Sequence, residues 1–248
     1  MKIPKIIWQT FKTKKLKPFI RKYQDTWINK NPDFEYRFYD DNDIIIFIKK
    51  EYPEYLKYYN KINVGAVKSD FWRLLVLLKY GGVYADLDSF CNKPLNQLIK
   101  ENDTYITCIH DRFNHCQHFC LICEPNHYII KKALKKSIEN IERTNGDITK
   151  IDFIKYYGFI KNNNQIELKT NKKIIFNKNK VFSYMGPDVF QEIYEELYIN
   201  NKEAFDKIKF CSNMDFDNFI IHRQPTIWGK YLKKLKTPHY GLIDKFKK

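Results

Sequence analysis

A helix that runs directly into a buried strand is the feature that most constrains the fold of this chain. The sequence predicts a helix from about Val64 to Tyr80, which Gly81-Gly82 ends as a C-cap. The strand Val83-Tyr84-Ala85 follows at once and leads into Asp86-Leu87-Asp88. A helix joined so closely to a buried strand is typical of an α/β sheet whose strands are connected by crossover helices.

Other strands and helices alternate along the rest of the chain. Strands are predicted at Lys5–Trp8, Phe34–Phe38, Tyr105–His110, Phe119–Cys123 and Phe219–Ile221. Helices are predicted at Pro18–Asn29, from an N-cap at Asp41 or Asp43 to Glu51, at Asn126–Glu142 and at Pro187–Leu197. No repeat or linker interrupts this order. We therefore expect a single domain over residues 1–248, with a polar surface excursion at about 145–180.

The composition excludes several classes of protein. Hydrophobic residues make up 44% and aromatic residues 17% of the chain, which excludes an intrinsically disordered protein. The net charge of +15 predicts attraction to anions such as nucleotides, nucleic acid, phosphorylated sugars or anionic lipid. The longest apolar run, Leu74–Leu78, is far shorter than the roughly 20 residues of a membrane-spanning helix. Because no signal peptide is visible, we expect a cytoplasmic protein, of a bacterium or a virus-infected host cell, with reduced cysteines and at most peripheral contact with an anionic membrane.

Two carboxylates stand two residues apart at the carboxyl end of the short apolar strand. Asp86 and Asp88 would point to the same side if the chain remains extended. Ligands of open α/β sheets bind at this end of the strands, and two close carboxylates repel each other unless a cation lies beside them. Oxygen ligands suit Mg²⁺ or Mn²⁺, which would bridge to a diphosphate. A solvated acidic turn is the alternative interpretation, since an Asp-x-Asp sequence is common.

Asp70 and Arg73 lie three residues apart on the predicted helix and therefore share one of its faces. They would hold hydroxyls and phosphate of a substrate, or they would form a local ion pair worth about 0.3 kcal/mol. The spacing alone favours the ion pair.

A cluster of cysteines offers a second possible metal site. Cys116, Cys120 and Cys123 have the spacing of iron–sulfur ligands. Three histidines lie nearby, at His110, His115 and His118. The segment from Phe119 to Cys123 nevertheless reads as a buried strand, on which alternate cysteines face opposite sides. We therefore expect core thiols here rather than a metal site.

Four sequence blocks occur in a characteristic order. They are Ile-Pro-Lys-Ile-Ile-Trp-Gln-Thr (Ile3 to Thr10), Asn-Pro-Asp-Phe-Glu-Tyr (Asn31 to Tyr36), Ser-Asp-Phe-x-Arg (Ser69 to Arg73) and Tyr-Gly-Gly-Val-Tyr-Ala-Asp-Leu-Asp (Tyr80 to Asp88). Together they resemble glycosyltransferase family 32, which carries a DXD sugar-binding region and includes fungal outer-chain mannosyltransferases and bacterial capsule transferases. The resemblance is dense from Lys5 to Pro94. Beyond that point, Met185-Gly186-Pro187 and Ile221-His222 followed by Trp228 resemble two later blocks of the family.

The resemblance implies a GT-A type fold, a Rossmann-like mixed sheet flanked by helices. It implies a nucleotide-sugar donor, with a UDP-sugar favoured over a GDP-sugar, a divalent metal (Mn²⁺ or Mg²⁺), a glycan or protein hydroxyl as acceptor, and retention of anomeric configuration. By position, Asp88 would bind the metal, and Asp86 would contact the ribose or sugar and support the metal. Asp70 and Arg73 would bind hydroxyls and phosphate of the donor.

Three further residues receive roles from the same resemblance. Trp8 would sit beside the nucleotide base. His222 and Trp228 would close over the diphosphate, with His222 as a second metal contact. Residues 226–248 would then form a C-terminal lid, for which a basic tail is the alternative.

Two other functions compete with this interpretation. A haloacid-dehalogenase-like phosphatase also places Asp-x-Asp after an apolar strand, but Phe90 stands where its motif requires Thr or Val. A basic module that grips single-stranded nucleic acid would explain the positive charge and the many aromatic residues. The basic residues are spread along the chain without a compact aromatic-basic motif, so nucleic acid is not the expected partner.

Overall fold

The computed structural model describes residues 1–110, 115–162, 165–169, 171–173, 175, 183–212, 216 and 218–222. Strands β1 to β6 cover Ile6–Thr10, Glu35–Tyr39, Gly82–Ala85, Ser89–Cys91, Tyr105–His110 and His115–Cys123. Strands β7 to β10 cover Phe159–Asn162, Gln165–Leu168, Lys209–Ser212 and Ile220–His222. Helices α1 to α8 cover Pro18–Lys30, Asp41–Glu51, Leu56–Lys61, Gly65–Tyr80, Leu95–Leu98, Tyr128–Thr144, Pro187–Asn200 and Lys202–Asp206. Within these residues, no helix is both long and apolar enough to cross a bilayer.

The central sheet has six strands in the order β2-β1-β3-β6-β5-β9. β1 pairs in parallel with β2 and β3, and β5 pairs in parallel with β9. β6 runs antiparallel to both β3 and β5, so the sheet is mixed. Because β1 and β3 are parallel, their carboxyl ends lie at the same edge of the sheet. The predicted α/β class with a mixed sheet flanked by helices is confirmed.

The predicted helix-to-strand unit forms as expected, because two glycines permit the sharp turn between α4 and β3. Gly81 has a φ of 62° and Gly82 a φ of 93°, both in the region that disfavours side chains. A Cβ atom on Gly81 would lie 2.6 Å from the backbone nitrogen of Pro125, and one on Gly82 would lie 2.6 Å from the carbonyl oxygen of Ile6. The close packing of these backbones brings α4 directly onto the sheet.

The N-cap of α2 is Asp40, which corrects the prediction of Asp41 or Asp43. The side chain of Asp40 accepts hydrogen bonds from the backbone N–H groups of Asn42 and Asp43, both at 3.0 Å. The side chain of Asp43 accepts in return from the backbone N–H of Asp40. This reciprocal capping box places the start of the helix one residue beyond Asp40.

The polar stretch at 145–180 is anchored to the core in its described part. Ile151 and Phe159 are buried in the main hydrophobic cluster. Glu195 on α7, itself buried, accepts hydrogen bonds from the backbone N–H groups of Tyr157 and Gly158 at 2.9 and 2.7 Å. A few buried side chains therefore hold a segment whose composition is that of a surface loop.

Candidate active site

The Asp-x-Asp sequence forms a tight turn at the carboxyl end of β3. The backbone N–H of Asp86 donates to the carbonyl of Phe119 at 2.7 Å, and the carbonyl of Asp86 accepts from the backbone N–H of Ser89 at 3.0 Å. Leu87 and Asp88 form the turn itself. The chain is therefore not extended through Asp88, contrary to the expectation. Both carboxylates are partly exposed, while Leu87 between them is buried.

Arg73 joins the predicted site residues of α4 and β3. Its Nη2 atom lies 2.9 Å from Oδ1 of Asp70 and 2.9 Å from Oδ1 of Asp86. The side chains of Asp70 and Arg73 are 5% and 3% exposed, so the pair is buried. The local ion pair that the spacing favours is present, and the same guanidinium also links it to the Asp-x-Asp turn. Binding of substrate hydroxyls and phosphate by these two residues stays a prediction.

Tyr84 and His118 complete this cluster. The hydroxyl of Tyr84 donates to Oδ1 of Asp86 at 2.9 Å, and the guanidinium of Arg73 lies 4.3 Å from the centre of the Tyr84 ring. Nη1 of Arg73 donates to the backbone carbonyl of His118 at 2.5 Å. Nε2 of His118 lies 3.3 Å from Oδ1 of Asp70 without a hydrogen bond. Asp70 and Asp86 thus share the buried guanidinium of Arg73, which packs against the ring of Tyr84.

The charges of this cluster follow from burial and from the shared cation. Burial opposes ionisation of Asp70, but the charge of Arg73 outweighs it and holds the pKa of Asp70 below its ordinary value. Burial likewise works against the charge of Arg73, yet Tyr84, Asp86 and Asp70 raise its pKa. Burial and the neighbouring Arg73 lower the pKa of His118, so this imidazole is neutral at pH 7. The site therefore has an ionised Asp70, a charged Arg73 and a neutral His118.

Sequence analysis missed the part that Tyr84 and His118 play. Tyr84 lies within the same motif, two residues before Asp86 on one side of a strand, and that alternation was available as a signal. His118 was considered only with the cysteines. It reaches the site because β6 pairs with β3, with Cys120 opposite Ala85.

Trp8 is placed in the core, below the site. Its side chain is fully buried, and Nε1 donates to the carbonyl of Gly81 at 2.8 Å. The indole stacks on Tyr80 with ring centres 5.6 Å apart, and the guanidinium of Arg37 lies 5.0 Å from its ring centre. Trp8 therefore supports the turn between α4 and β3, and its contact with a nucleotide base stays a prediction.

The C-terminal strand lies beside the Asp-x-Asp turn. β10 pairs antiparallel with β4, and this register places His222 opposite Ser89, the residue that follows Asp88. The backbone position of His222 suits its predicted place near the metal, although its side chain lies outside the described part. Trp228 and the predicted lid at 226–248 also lie outside the described residues.

The cysteines separate into different parts of the core. Cys116 and Cys123 belong to the cluster between the sheet and α4, whereas Cys120 packs in the cluster on the other face. All three thiols are buried, and burial raises the pKa of each. They are therefore protonated core residues in the described structure.

Asp86 and Asp88 are the carboxylates that could hold a divalent cation. Oδ1 of Asp86 accepts hydrogen bonds from Arg73 and Tyr84, and 28% of the Asp86 side chain is exposed. The described residues contain no cluster of three or more His, Cys, Asp or Glu that would hold a metal by itself. Two carboxylates without a full protein cage suit Mg²⁺ or Mn²⁺, which keep waters and bind substrate phosphates. The residues thus fit an ion that binds together with a diphosphate.

Comparison with known proteins finds similarity to glycosyltransferases. Residues 19–105 match the family model described as "Glycosyltransferase sugar-binding region containing DXD motif". The chain is 38% identical over 97 residues to inositol phosphoceramide mannosyltransferase 3 of Schizosaccharomyces pombe, which covers 39% of this chain and 27% of that relative. It is 29% identical over 225 residues to the uncharacterized glycosyltransferase L373 of Acanthamoeba polyphaga mimivirus, covering 88% of this chain and 79% of that one. The chain spans about a quarter of the length of the fungal relatives it matches.

The fold also matches solved glycosyltransferases. The UDP-bound glycosyltransferase domain from the YGT toxin superposes with a TM-score of 0.53 at 10% identity, covering 84% of this chain and 79% of that domain. This likeness shows that the fold is of the GT-A type. The matched residues include Asp70, Arg73, Asp86 and Asp88, so this part of the chain is similar to the glycosyltransferase sugar-binding region that contains the DXD motif.

Proposed function

We propose that this protein transfers a sugar from a nucleotide-diphosphate donor to a hydroxyl of a glycan or protein, with the help of a divalent metal. The observation that carries the proposal is the single guanidinium of Arg73, which links Asp70 to Asp86 beside the DXD turn. An ionised carboxylate and a cation held rigidly in a nearly dry cluster are suited to orient sugar hydroxyls and to stabilise negative charge on a phosphate.

Each residue of the cluster has a role that its contacts support. Asp70 is buried and ionised, so it would accept hydrogen bonds from donor sugar hydroxyls. Arg73 fixes both carboxylates and adds positive charge near the diphosphate. Tyr84 orients Asp86 through a hydrogen bond to Oδ1, and Asp86 would contact the ribose, the sugar or the metal.

The metal would be held by Asp88, with Asp86 in support and His222 as a further contact. Mn²⁺ or Mg²⁺ bound there would supply Lewis-acid stabilisation of the leaving diphosphate and a template for its orientation. Asp88 is partly exposed in the turn, where a diphosphate would approach from solvent.

Retention of configuration requires no separate base on the opposite face of the sugar. The bond between the anomeric carbon and the phosphate oxygen breaks, and the acceptor oxygen bonds to the same face. The acceptor proton passes to the leaving phosphate oxygen, which balances the charge. The neutral His118 next to Asp70 adds no positive charge to this exchange.

Two similar proteins support the proposed donor. The match to a mannosyltransferase indicates a hexose, and the UDP-bound state of the toxin domain indicates a uridine nucleotide for that protein. We favour a UDP-sugar over a GDP-sugar for this chain. Thermal denaturation with UDP, GDP or CMP, each with and without Mn²⁺, tests the donor, because only the cognate nucleotide should raise the melting temperature in a Mn²⁺-dependent manner.

Two rival functions predict different results. A phosphatase would use Asp86 as a nucleophile, yet both Arg73 and Tyr84 bind the oxygen Oδ1 of this residue. A nucleic-acid-binding module would bind single-stranded DNA with a steep salt dependence and ignore nucleotide sugars. Release of nucleoside diphosphate from a UDP-sugar in the presence of Mn²⁺ would support the transferase. Hydrolysis of a simple phosphate ester, with no release of nucleoside diphosphate from the UDP-sugar, would contradict the proposal.

A further inference from the structure

The connection from β1 to α1 and the first turns of α1 form the most basic stretch beside the site. We call it the basic surface, and its six cations are Lys12, Lys14, Lys15, Lys17, Arg21 and Lys22. No acidic residue occurs between Phe11 and Gln24. All six cationic residues are exposed to solvent. The positive charge of this stretch is therefore displayed outward.

Protein carboxylates neutralise little of this charge. Lys14 pairs with Asp43 at 2.8 Å. Within the described part of the chain, no carboxylate forms an ion pair with Lys12, Lys15, Arg21 or Lys22. On α6, by contrast, two lysines form ion pairs with glutamates of α7, Lys132 with Glu196 and Lys136 with Glu192. The basic surface thus remains a strong local source of positive potential.

The outer side of α1 also displays an apolar side chain. Phe19, in the first turn of α1, is 38% exposed, although the inner side of the helix buries Ile20 and Trp27. A cluster of cations combined with an exposed aromatic side chain is typical of segments that lie in a membrane interface. Stacking of successive bases requires several aromatic side chains, and Phe19 is the one exposed aromatic residue between Phe11 and Gln24, which favours lipid over single-stranded nucleic acid.

This surface is attached to the DXD turn. Ile20 on α1 packs with Phe11 and Leu87 in a small hydrophobic cluster, and Leu87 lies between Asp86 and Asp88. Nε1 of Trp27 donates to the carbonyl of Ser89 at 3.0 Å. Any large surface that touches the outer side of α1 is therefore close to the turn that carries the candidate metal ligands.

We propose that the basic surface docks the protein on an anionic lipid bilayer. The cations contact lipid headgroups, and Phe19 enters the boundary between headgroups and acyl chains. The docked orientation holds the DXD turn near the bilayer, so the acceptor hydroxyl belongs to a membrane-borne molecule. This last clause rests on the proposed transferase function, whereas the docking does not.

Vesicle flotation tests the docking without any activity assay. The wild-type protein should float with phosphatidylcholine vesicles that contain phosphatidylserine, and not with pure phosphatidylcholine vesicles. Each surface cation contributes about fivefold to binding of an anionic membrane, so Lys15→Gln/Lys22→Gln should weaken binding by about 25-fold. Phe19→Ser should weaken it further, with no change in the melting temperature.

The matched control is Lys131→Gln/Lys135→Gln on α6. These two lysines are also exposed, and their removal changes the net charge equally. The control should float almost like the wild type. Equal losses in both double variants would show that only net charge matters and would overturn the proposal. Binding of single-stranded DNA through Lys15 and Lys22 without vesicle flotation would assign the surface to nucleic acid and overturn it as well.

Discussion

The Nη2 atom of Arg73 lies 2.9 Å from Oδ1 of Asp86, a residue 13 positions further along the chain, and this contact ties α4 to the end of β3. The same nitrogen lies 2.9 Å from Asp70. One buried cation therefore compensates two carboxylates on different elements. Its removal should affect both the stability of the fold and the geometry of the site.

We expect Arg73→Met to lower the free energy of unfolding by about 3–5 kcal/mol, because it leaves buried carboxylates without their partner. Arg143→Ala is the control, since Arg143 pairs with Asp152 at the surface, where such a pair contributes about 0–1 kcal/mol. Urea unfolding measures both. If Arg73→Met does not fold, Arg73→Lys should fold and lose transfer activity, since an ammonium cannot reproduce the planar fork. Full activity of Arg73→Lys would contradict the role of this residue.

We expect Asp88→Asn to abolish transfer and to remove the Mn²⁺-dependent rise in melting temperature with nucleotide diphosphate. A neutral amide is a poor ligand for a hard cation. Asp86→Asn should have nearly the same effect. Asp152→Asn removes an equally charged but exposed carboxylate and should change neither measurement. Activity that survives excess EDTA would argue against metal dependence.

Tyr84→Phe isolates the hydrogen bond to Asp86 from the packing of the ring. We expect it to cost about 1 kcal/mol of stability, which is typical of one lost hydrogen bond. Because Oδ1 of Asp86 loses the hydrogen bond from Tyr84 and is less well oriented, Mn²⁺-dependent nucleotide binding should weaken several-fold in calorimetry. The Arg73 contact with the ring remains in this variant. Unchanged binding would show that Tyr84 only fills space.

Asp188 and His127 give the stability opposite pH dependences. Burial raises the pKa of Asp188 to about 6, despite a hydrogen bond from Ser183. The contribution of Asp188 to the free energy of unfolding is therefore complete below its ordinary pKa of 3.8, and it is lost as the pH rises through about 6. Burial lowers the pKa of His127 to about 4, so its contribution is complete above 6.5 and is lost as the pH falls through about 4.

Single variants should separate these opposing effects. Asp188 should lower the free energy of unfolding of the wild type by about 3 kcal/mol as the pH rises from 4 to 6.5, and Asp188→Asn should lack this loss. His127 should lower it by a similar amount as the pH falls from 6.5 to 4, and His127→Asn should lack that loss. Urea unfolding at pH 4, 5 and 6.5 checks the slopes. Profiles parallel to the wild type in both variants would show that neither group titrates between these limits.

Local patterns predicted the elements well where the chain folds on its neighbours. The helix ending at Gly81, the following strand and the Asp-x-Asp turn each occur where the local sequence pattern places them. The i, i+3 spacing of Asp70 and Arg73 also predicted their ion pair.

Contacts between distant segments could not be predicted in this way. His118 meets Asp70 only because β6 enters the sheet antiparallel to β3, and its local sequence pointed to a cysteine cluster instead. The stretch at 145–180 is polar in composition, yet Glu195 on a later helix accepts two hydrogen bonds from its backbone N–H groups. Sheet order and buried hydrogen bonds depend on pairings between segments that are far apart along the chain, which periodicity does not encode.

The pairing of β4 with β10 sets the order in which the site can be completed during protein synthesis. About 130 residues separate Phe90 from its partner Ile221. A nascent chain that has emerged through α7 already contains Asp70, Arg73, Asp86 and Asp88, together with five of the six strands of the central sheet. The strand beside Asp88 gains its partner only after residues 220–222 are made. Five strands of the sheet can therefore pair on the ribosome before the edge that carries the Asp-x-Asp turn is complete.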